Sequence, residues 1–355
     1  MSLTIGIIGL AQSGKTTLFH ALTRLDTTDK AATGKPNLAR VNVPDLRLDG
    51  LSAIYSPKKT TPATVDFMDV AAALADSEEK GALGKRVLGT FRTVDTLLQV
   101  VRCFDHPYLG APKPEADLET LELEKIISDL TVIDGTLERN KKLPADARAW
   151  FEKVRQPLAD GLKPPPDLLA SPPESAKAMV ASMALLIAKP TIVCANIPES
   201  ALGQEASNAA WLAVQAWATR EGVDCFSICA RTEEEISQLN PSDAEEFMRE
   251  LGITESGLAK LIRASYHSLN LMTFFTSGED ECRAWTVRRG ATAPEAAGKI
   301  HTDLEKGFIR AEVVGCDDFL SRGSTAACRE KGLLRLEGKT YLVQDGDIME
   351  IRFNV

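Results

Sequence analysis

The sequence predicts an α/β fold. Its main part is built on a mostly parallel sheet interrupted by a helical insertion, and a small α+β domain follows. Three observations carry this. Leu3-Thr4-Ile5-Gly6-Ile7-Ile8 is an apolar run that ends in the turn Gly9-Leu10-Ala11-Gln12-Ser13-Gly14-Lys15-Thr16, after which Thr17-Leu18-Phe19-His20-Ala21-Leu22 reads as the start of a helix. Apolar runs of strand length then alternate with helix-like stretches, the pattern of a parallel sheet. From about Thr276 the pattern changes to short strands around a helix-like stretch, Thr292 to Leu304.

The first element is the most specific. A strand, a glycine-rich loop ending in Gly-Lys-Thr and a helix form the context of a phosphate-binding P-loop. Glycines let the backbone turn tightly, so that successive N–H groups point at phosphate oxygens. The helix N-terminus adds the positive end of its dipole. Ala11, Gln12, Ser13, Gly14, Lys15, Thr16 and Thr17 are therefore the candidate phosphate-binding residues. Lys15 reaches the β- and γ-phosphates, and the Thr16 hydroxyl binds Mg²⁺. A chance match in a Gly-rich turn would not supply both flanks.

Composition sets bounds. A chain of 355 residues with 44% apolar residues predicts two or three domains with proper cores. The net charge of −9 argues against whole-protein affinity for nucleic acid, so DNA is not an expected partner, while a local basic face remains open. No run of 18 uncharged apolar residues predicts a membrane span. The apolar N-terminus reads as the first strand, not as a leader. Cys103, Cys194, Cys225, Cys229, Cys282, Cys316 and Cys328 are scattered and odd in number, and read as reduced cytoplasmic thiols without zinc-ligand spacing.

Leu38 to Val43, Thr64 to Val70, Leu97 to Phe104, Thr191 to Ala195 and Cys225 to Cys229 read as the further strands. Asp26 to Lys35 reads as a loop. Between about 118 and 185, Leu118, Leu121, Ile126, Ile127, Leu130 and Ile133 recur at helical spacing. Proline-rich breaks follow at Pro164-Pro165-Pro166 and Pro172-Pro173, and then Ala176 to Ala188 looks helical. This predicts an inserted antiparallel helical hairpin, with residues 160–175 either part of it or a disordered arm. In the last domain, Arg283 to Val287, Tyr341 to Val343 and Ile348 to Phe353 read as strands.

A P-loop needs a second acidic group for Mg²⁺, at the end of a neighbouring strand. Thr64-Val65-Asp66-Phe67-Met68-Asp69-Val70 supplies Asp69, with Asp66 as the weaker competitor and a helix cap as the alternative role. In GTPase-like enzymes this aspartate opens Asp-x-x-Gly; here Ala72 takes the glycine position, and Ala73 the position of a water-orienting glutamine. Guanine is read in that class by Asn-Lys-x-Asp. The equivalent stretch here, Asn196-Ile197-Pro198-Glu199, has lost the lysine and carries a longer acid, which weakens guanine selection and opens the site to adenine. An ordinary strand-end turn is the plainer reading of the same four residues.

With these residues in hand the chain resembles the YchF/Obg-like ATPase family, translation-factor-class P-loop proteins that favour ATP over GTP. The likeness spans nearly the whole chain. It is carried by Val43-Pro44-Asp45-Leu46-Arg47-Leu48, by Val100-Val101-Arg102-Cys103-Phe104, and most strongly by the end, from Phe274-Phe275-Thr276-Ser277-Gly278 through Gly307-Phe308-Ile309-Arg310-Ala311-Glu312 to Gln344-Asp345-Gly346-Asp347. That end looks like the family's TGS domain, a β-grasp module linked to ribosome or RNA contact. The resemblance implies Thr16 and Thr33 as Mg²⁺ ligands beside Asp69, and Asn196 and Ile197 flanking the base, with Glu199 beside them. It also shows departures. Ala11-Gln12-Ser13 stands where the family has Pro-Asn-Val, Ala31 and Ala32 replace aromatic switch residues, and the loop after Phe104 is shorter, with His106 out of register with a family histidine. His20, His267 and His301 have no ligand partner at useful spacing.

The combined expectation is a cytoplasmic, Mg²⁺-dependent ATP-binding protein that hydrolyses ATP slowly, with GTP the weaker ligand. Residues 1–117 and 186–275 form the P-loop domain, 118–185 the helical, coiled-coil-like insertion, and 276–355 the TGS-like domain. Nucleotide state sets association with a ribosome or RNA through the helical and TGS-like parts, and no membrane is involved. A hydrolysis-deficient adaptor is the rival reading, favoured by Ala72 and the short loop after Phe104; a true GTPase is the third.

Overall fold

The computed structural model describes residues 3–24, 37–69 and 85–354. In chain order, β1 (Thr4–Ile8) leads to α1 (Lys15–Arg24), followed by β2 (Asn37–Asn42), α2 (Leu46–Tyr55), β3 (Lys59–Thr61), β4 (Thr64–Asp69), α3 (Lys85–Phe91) and β5 (Thr96–Arg102). The helical stretch α4 (Pro114–Arg139), α5 (Ala145–Ala159), α6 (Pro166–Ala170) and α7 (Glu174–Met183) comes next. Then follow β6 (Thr191–Asn196), α8 (Ala209–Glu221), β7 (Asp224–Ile228), α9 (Ala230–Ile236), α10 (Pro241–Glu250) and α11 (Gly257–Ser268). The chain ends with β8 (Leu271–Thr276), β9 (Glu281–Arg288), α12 (Ala293–Ile300), α13 (Thr302–Lys306), β10 (Phe308–Gly315), α14 (Cys316–Arg322), α15 (Thr325–Glu330), β11 (Arg335–Glu337) and β12 (Asp347–Phe353). Two compact units result: Met1–Val41 with Asp66–Leu261, and Asn42–Val65 with Ile262–Val355. The second thus takes in residues 42–65, which the sequence reading placed in the P-loop domain.

The first unit is organised by a six-stranded sheet in the order β2-β4-β1-β5-β6-β7. β1 pairs in parallel with β4 and β5, and β6 pairs in parallel with β5 and β7. Every residue of β5 is buried, as a strand covered on both faces requires. Parallel pairing puts the carboxyl ends of β1, β4, β5 and β6 on one side, where Gly9, Asp69, Cys103 and Asn196 stand.

The helical insertion follows its apolar spacing. α4 opens with Pro114 in its first turn and carries Glu115 and Asp117 there, matching the fixed φ and the dipole of a helix start. Its Ile126 and Ile133 pack against Ala147, Trp150, Phe151, Val154 and Leu158 of α5. After α5 the short helix α6 forms, and the Trp150 indole N–H donates to the Leu168 carbonyl at 3.0 Å. The base of α4 is fixed to β5 by a buried polar group. Gln99 Nε2 donates to Glu122 at 2.7 Å, and Lys125 and Lys163 pair with the same carboxylate at 2.6 and 2.9 Å. Burial lowers the Lys125 pKa, while the Lys125 and Lys163 charges hold Glu122 below the usual carboxylate value against the opposing effect of burial.

The second unit holds a six-stranded sheet in the order β11-β10-β12-β8-β9-β3. Its core packs Met272, Phe274, Val287, Ala311, Val313 and Met349 under the alanines of α12. One helical expectation is refined here and one strand expectation is corrected. The stretch Thr292 to Leu304 is two helices, because His301 is extended (φ −161°, ψ 144°) and its Nδ1 accepts from the Asp303 N–H at 3.2 Å, capping α13. Tyr341 to Val343 is not a strand and meets the sheet only through a bridge between Thr292 and Leu342. The buried Asp347 carboxylate accepts from the Gln344 N–H and the Tyr341 hydroxyl, both at 2.8 Å, and so curls this segment.

Trp150 should be the main prop of the insertion. It is 6% exposed, stacks edge-on against Phe151 and holds α6 through its indole N–H. Trp150→Ala should cost about 3–5 kcal/mol, and Trp150→Phe, which loses mainly the hydrogen bond, about 1 kcal/mol. Urea denaturation followed by circular dichroism checks both values.

Candidate nucleotide-binding site

The loop between β1 and α1 has the geometry its sequence demands. Gly14 sits at φ +94°, where L side chains are strained, and a Cβ on it would lie 2.1 Å from Asn196 Nδ2. A Cβ on Gly9 would lie 2.4 Å from the Val100 carbonyl oxygen. Both positions therefore exclude any side chain. Gln12 also has a positive φ, 61°, with no glycine to relieve it. Asparagine is better tolerated in that region than glutamine, so the departure from Pro-Asn-Val carries a local conformational cost.

The loop side chains divide by exposure. Ala11, Gln12 and Thr16 are exposed, Gly14 and Thr17 half-buried, and Ser13 and Lys15 buried. Lys15 Nζ donates to the Leu10 carbonyl at 2.6 Å, curled back over the loop. Burial lowers its pKa to about 8, and the negative charge of Asp69 acts against that shift. Asp69, the last residue of β4, is fully buried and stands opposite Ile7 in the sheet register. Asp66 is committed elsewhere: Arg40 grips it with two prongs at 2.7 and 2.9 Å. Of the two carboxylates, Asp69 alone lies at the phosphate-loop end of the strand.

Asn196 ties three segments together. Its Nδ2 donates to the Ser13 carbonyl at 3.0 Å, and its Oδ1 accepts from the Ala230 N–H at 3.0 Å. Ile197 follows with its side chain in the core among Val101, Leu118 and Trp217, while its N–H donates to the Ile228 carbonyl at 2.8 Å. Its side chain is thus not presented to a ligand, and only backbone remains for contact with a base. Glu199 is exposed and opens a single 3₁₀ turn, Glu199–Ala201. Thr33, Ala31, Ala32, Ala72 and Ala73 lie outside the described residues.

The residues present fit a magnesium–triphosphate group. Ser13 Oγ is buried without a hydrogen-bond partner in the fold, beside Gly9, where an added Cβ would lie 2.8 Å from it. An exposed hydroxyl at Thr16 and a carboxylate at Asp69 are hard oxygen donors of the kind Mg²⁺ takes. Among the described residues no cluster of three His, Cys, Asp or Glu side chains could hold another metal, and all seven cysteines are free.

Sequence reasoning missed Arg102. Its guanidinium is buried and donates to the carbonyls of Phe104 at 2.7 Å, Gly110 at 2.8 Å and Ala111 at 3.2 Å. It closes the short loop after β5 in which His106 and Gly110 pair through their backbones. A charge at the end of a mostly apolar, buried strand was the available signal. His106 is spent within this loop, its Nδ1 accepting from the Tyr108 N–H at 3.3 Å.

Two glycines make a paired test of the loop. Gly14→Ala should cost ~1–3 kcal/mol through strain and the clash with Asn196 and remove nucleotide binding. Gly89→Ala, in α3 with nothing within 4 Å of the added carbon, should stabilise by ~0.5–1 kcal/mol and leave binding unchanged. Thermal melts and equilibrium titration read both.

Known proteins share this architecture. Residues 271–354 match the YchF-GTPase C-terminal family model, described as a protein of unknown function (DUF933). The chain is 39% identical over 366 residues to the ribosome-binding ATPase YchF of Bacillus subtilis, with 100% of each covered. It is 38% identical over 371 residues to the protein of that name in Escherichia coli O157:H7, again with 100% of each covered. The solved structure of the Schizosaccharomyces pombe YchF GTPase superimposes with a TM-score of 0.85 at 32% identity, covering 99% of this chain and 98% of that one. A likeness that runs from the glycine-rich loop to the last strand in both sequence and fold leaves one conclusion: the chain belongs to the YchF family.

Proposed function

We propose that this protein is a ribosome-binding ATPase that takes ATP with Mg²⁺ in the β1–α1 loop and hydrolyses it slowly. The observation that carries the reading is the loop itself: a buried lysine, an unpartnered Ser13 Oγ and two glycines that admit no Cβ, at the strand end where Asp69 stands. The end-to-end likeness to proteins named ribosome-binding ATPases supports the partner.

In this reading the amides of residues 11–17 and the Lys15 ammonium bind the phosphates, and Lys15 exchanges the Leu10 carbonyl for the β/γ oxygens. Thr16 and Asp69, with Thr33, hold the metal. Mg²⁺ when bound supplies positive charge against the β- and γ-phosphates. Preorganised donors then stabilise charge that develops in phosphoryl transfer. Asn196 fixes the loop backbone, and Glu199, on a longer stem than aspartate, weakens reading of the guanine N1 and N2 donors. The helical insertion and the TGS-like end present the ribosome- or RNA-contacting surfaces. The reduced thiols fit a cytoplasmic protein, and among the described residues no helix is long and apolar enough to cross a membrane.

Calorimetric titration should show ATP binding more tightly than GTP, with binding weakened when Mg²⁺ is chelated. A clear GTP preference would overturn the base-recognition argument. Lys15→Ala should weaken ATP binding by at least ~1.5–3 kcal/mol, the value of one charge-assisted contact. In single-turnover assays with and without ribosomes, Ala72→Gly should alter hydrolysis more than Ala73→Gln, because a mobile amide must approach the γ-phosphate before an added glutamine can orient water.

A further inference from the structure

We propose that Glu233 is a positioning residue for the nucleotide site: its buried carboxylate locks the start of α9, and through Asn196 the phosphate loop, to the first turn of α11. This rests on the nucleotide-binding reading of the β1–α1 loop. The two can fail separately.

The observation is a line of buried and part-buried hydrogen bonds that runs through the first turn of α9. Asn196 holds the Ser13 carbonyl with one side-chain atom and receives the Ala230 N–H with the other. Ala230 is the first residue of α9, and that first turn closes through the Glu233 N–H to the Cys229 carbonyl at 3.0 Å. The Thr232 hydroxyl, fully buried, donates to Cys229 Sγ at 3.1 Å in the same turn. The Glu233 side chain then leaves α9 altogether. Its carboxylate accepts from the Ser256 hydroxyl at 2.6 Å, the Gly257 N–H at 2.6 Å and the Leu258 N–H at 3.2 Å.

A carboxylate 3% exposed that gathers three donors serves as the N-terminal anion of α11, although it lies more than twenty positions earlier in the chain. An ordinary cap comes from the residue preceding the helix. Ser256 does cap, accepting from the Leu258 N–H at 3.1 Å, but Glu233 takes the same amide and its neighbour besides.

A second observation is steric. A Cβ on Gly257 would sit 2.8 Å from Ile228 Cγ1 and 2.9 Å from Glu233 Oε1. Glycine at 257 lets α11 close on both the end of β7 and the carboxylate. Ile228 is also the residue whose carbonyl receives the Ile197 N–H. The α11 start therefore braces the strand end and the helix start that flank Asn196. α9 also meets the P-loop helix, with His20 Nδ1 3.7 Å from Glu234. The two helices thus share α9 as a common support.

Coupling of this kind is reciprocal. If α11 holds the phosphate loop through Glu233, nucleotide in the loop must steady the α11 start. Hydrogen exchange on the full chain, with and without Mg²⁺–ATP, reads this at the Gly257 and Leu258 amides. Wild type should show slower exchange at both when ATP is bound. Glu233→Ala should abolish that response and weaken binding of a fluorescent ATP analogue by about tenfold, a typical coupling magnitude. Glu233→Gln keeps an acceptor oxygen and should recover part of the loss, and Gly257→Ala should weaken binding in the same direction as Glu233→Ala. Trp150→Phe, which destabilises a part of the fold outside this line, controls for general loss of stability and should bind as wild type does.

Unchanged exchange at 257 and 258 in ATP-bound wild type would overturn the proposal. So would a Glu233→Ala protein that binds the analogue with wild-type affinity. Wild type that binds no nucleotide would overturn the reading on which the proposal rests.

Discussion

A lysine ammonium taken out of water at the end of the first strand is the constraint around which this fold is arranged. Lys15 is buried beside a buried aspartate, and its charge is tolerated because the Leu10 carbonyl and Asp69 stand in for the missing solvent. Desolvating such a group is costly unless partners replace its water. The loop must therefore be stiff, since a loop able to relax would simply return Lys15 to solvent. What holds it is the close packing around Gly9 and Gly14, where neighbouring atoms leave no room for a Cβ, and Asn196, which grips the loop backbone from another strand.

The same logic recurs away from the loop. Where α4 crosses β5, the polar Gln99 in a fully buried strand meets a carboxylate shared by two lysines, so that charge inside the protein is again balanced by charge. Arg102 repeats it with carbonyl oxygens, and Arg40 with Asp66. Removing one member of such a group strands the others without water, which makes these clusters more specific than their net energies suggest. They fix where the insertion leaves the sheet and where the short loop after β5 lies.

Much of this was legible in the sequence, for identifiable reasons. The strand–loop–helix signature of Gly9 to Thr16 is local, and local signals survive into the fold. The buried strands β5 and β6 announced themselves as apolar runs, and α4 by its periodicity. What stayed hidden depends on partners far along the chain. Nothing near Asn196 says that its amide is taken up by Ser13 and Ala230, or that Ile197 turns inward to Trp217. Nothing near Glu233 points to Gly257. Tyr341 to Val343 has strand-like residues, yet Asp347 curls it, and the break at His301 depends on a side chain capping the next turn. The inclusion of residues 42–65 in the second unit left no mark in composition at all.

That last feature bears on how such a protein can be inherited. β3 runs parallel to β9 along the edge of the second sheet, Tyr55 of α2 stacks on Phe319, and Arg47 lies over Phe275 and binds Asp345. A gene fragment starting at residue 271 would encode the family-matched region but leave out the strand and the helix that complete it. The orphaned edge of β9 and the uncovered aromatic rings would invite association with other chains. The second unit is therefore not a cassette that recombination can lift out and graft elsewhere. A lineage that keeps this sheet must keep the interleaved stretch between β2 and β4, so the two units are bound to evolve as one gene.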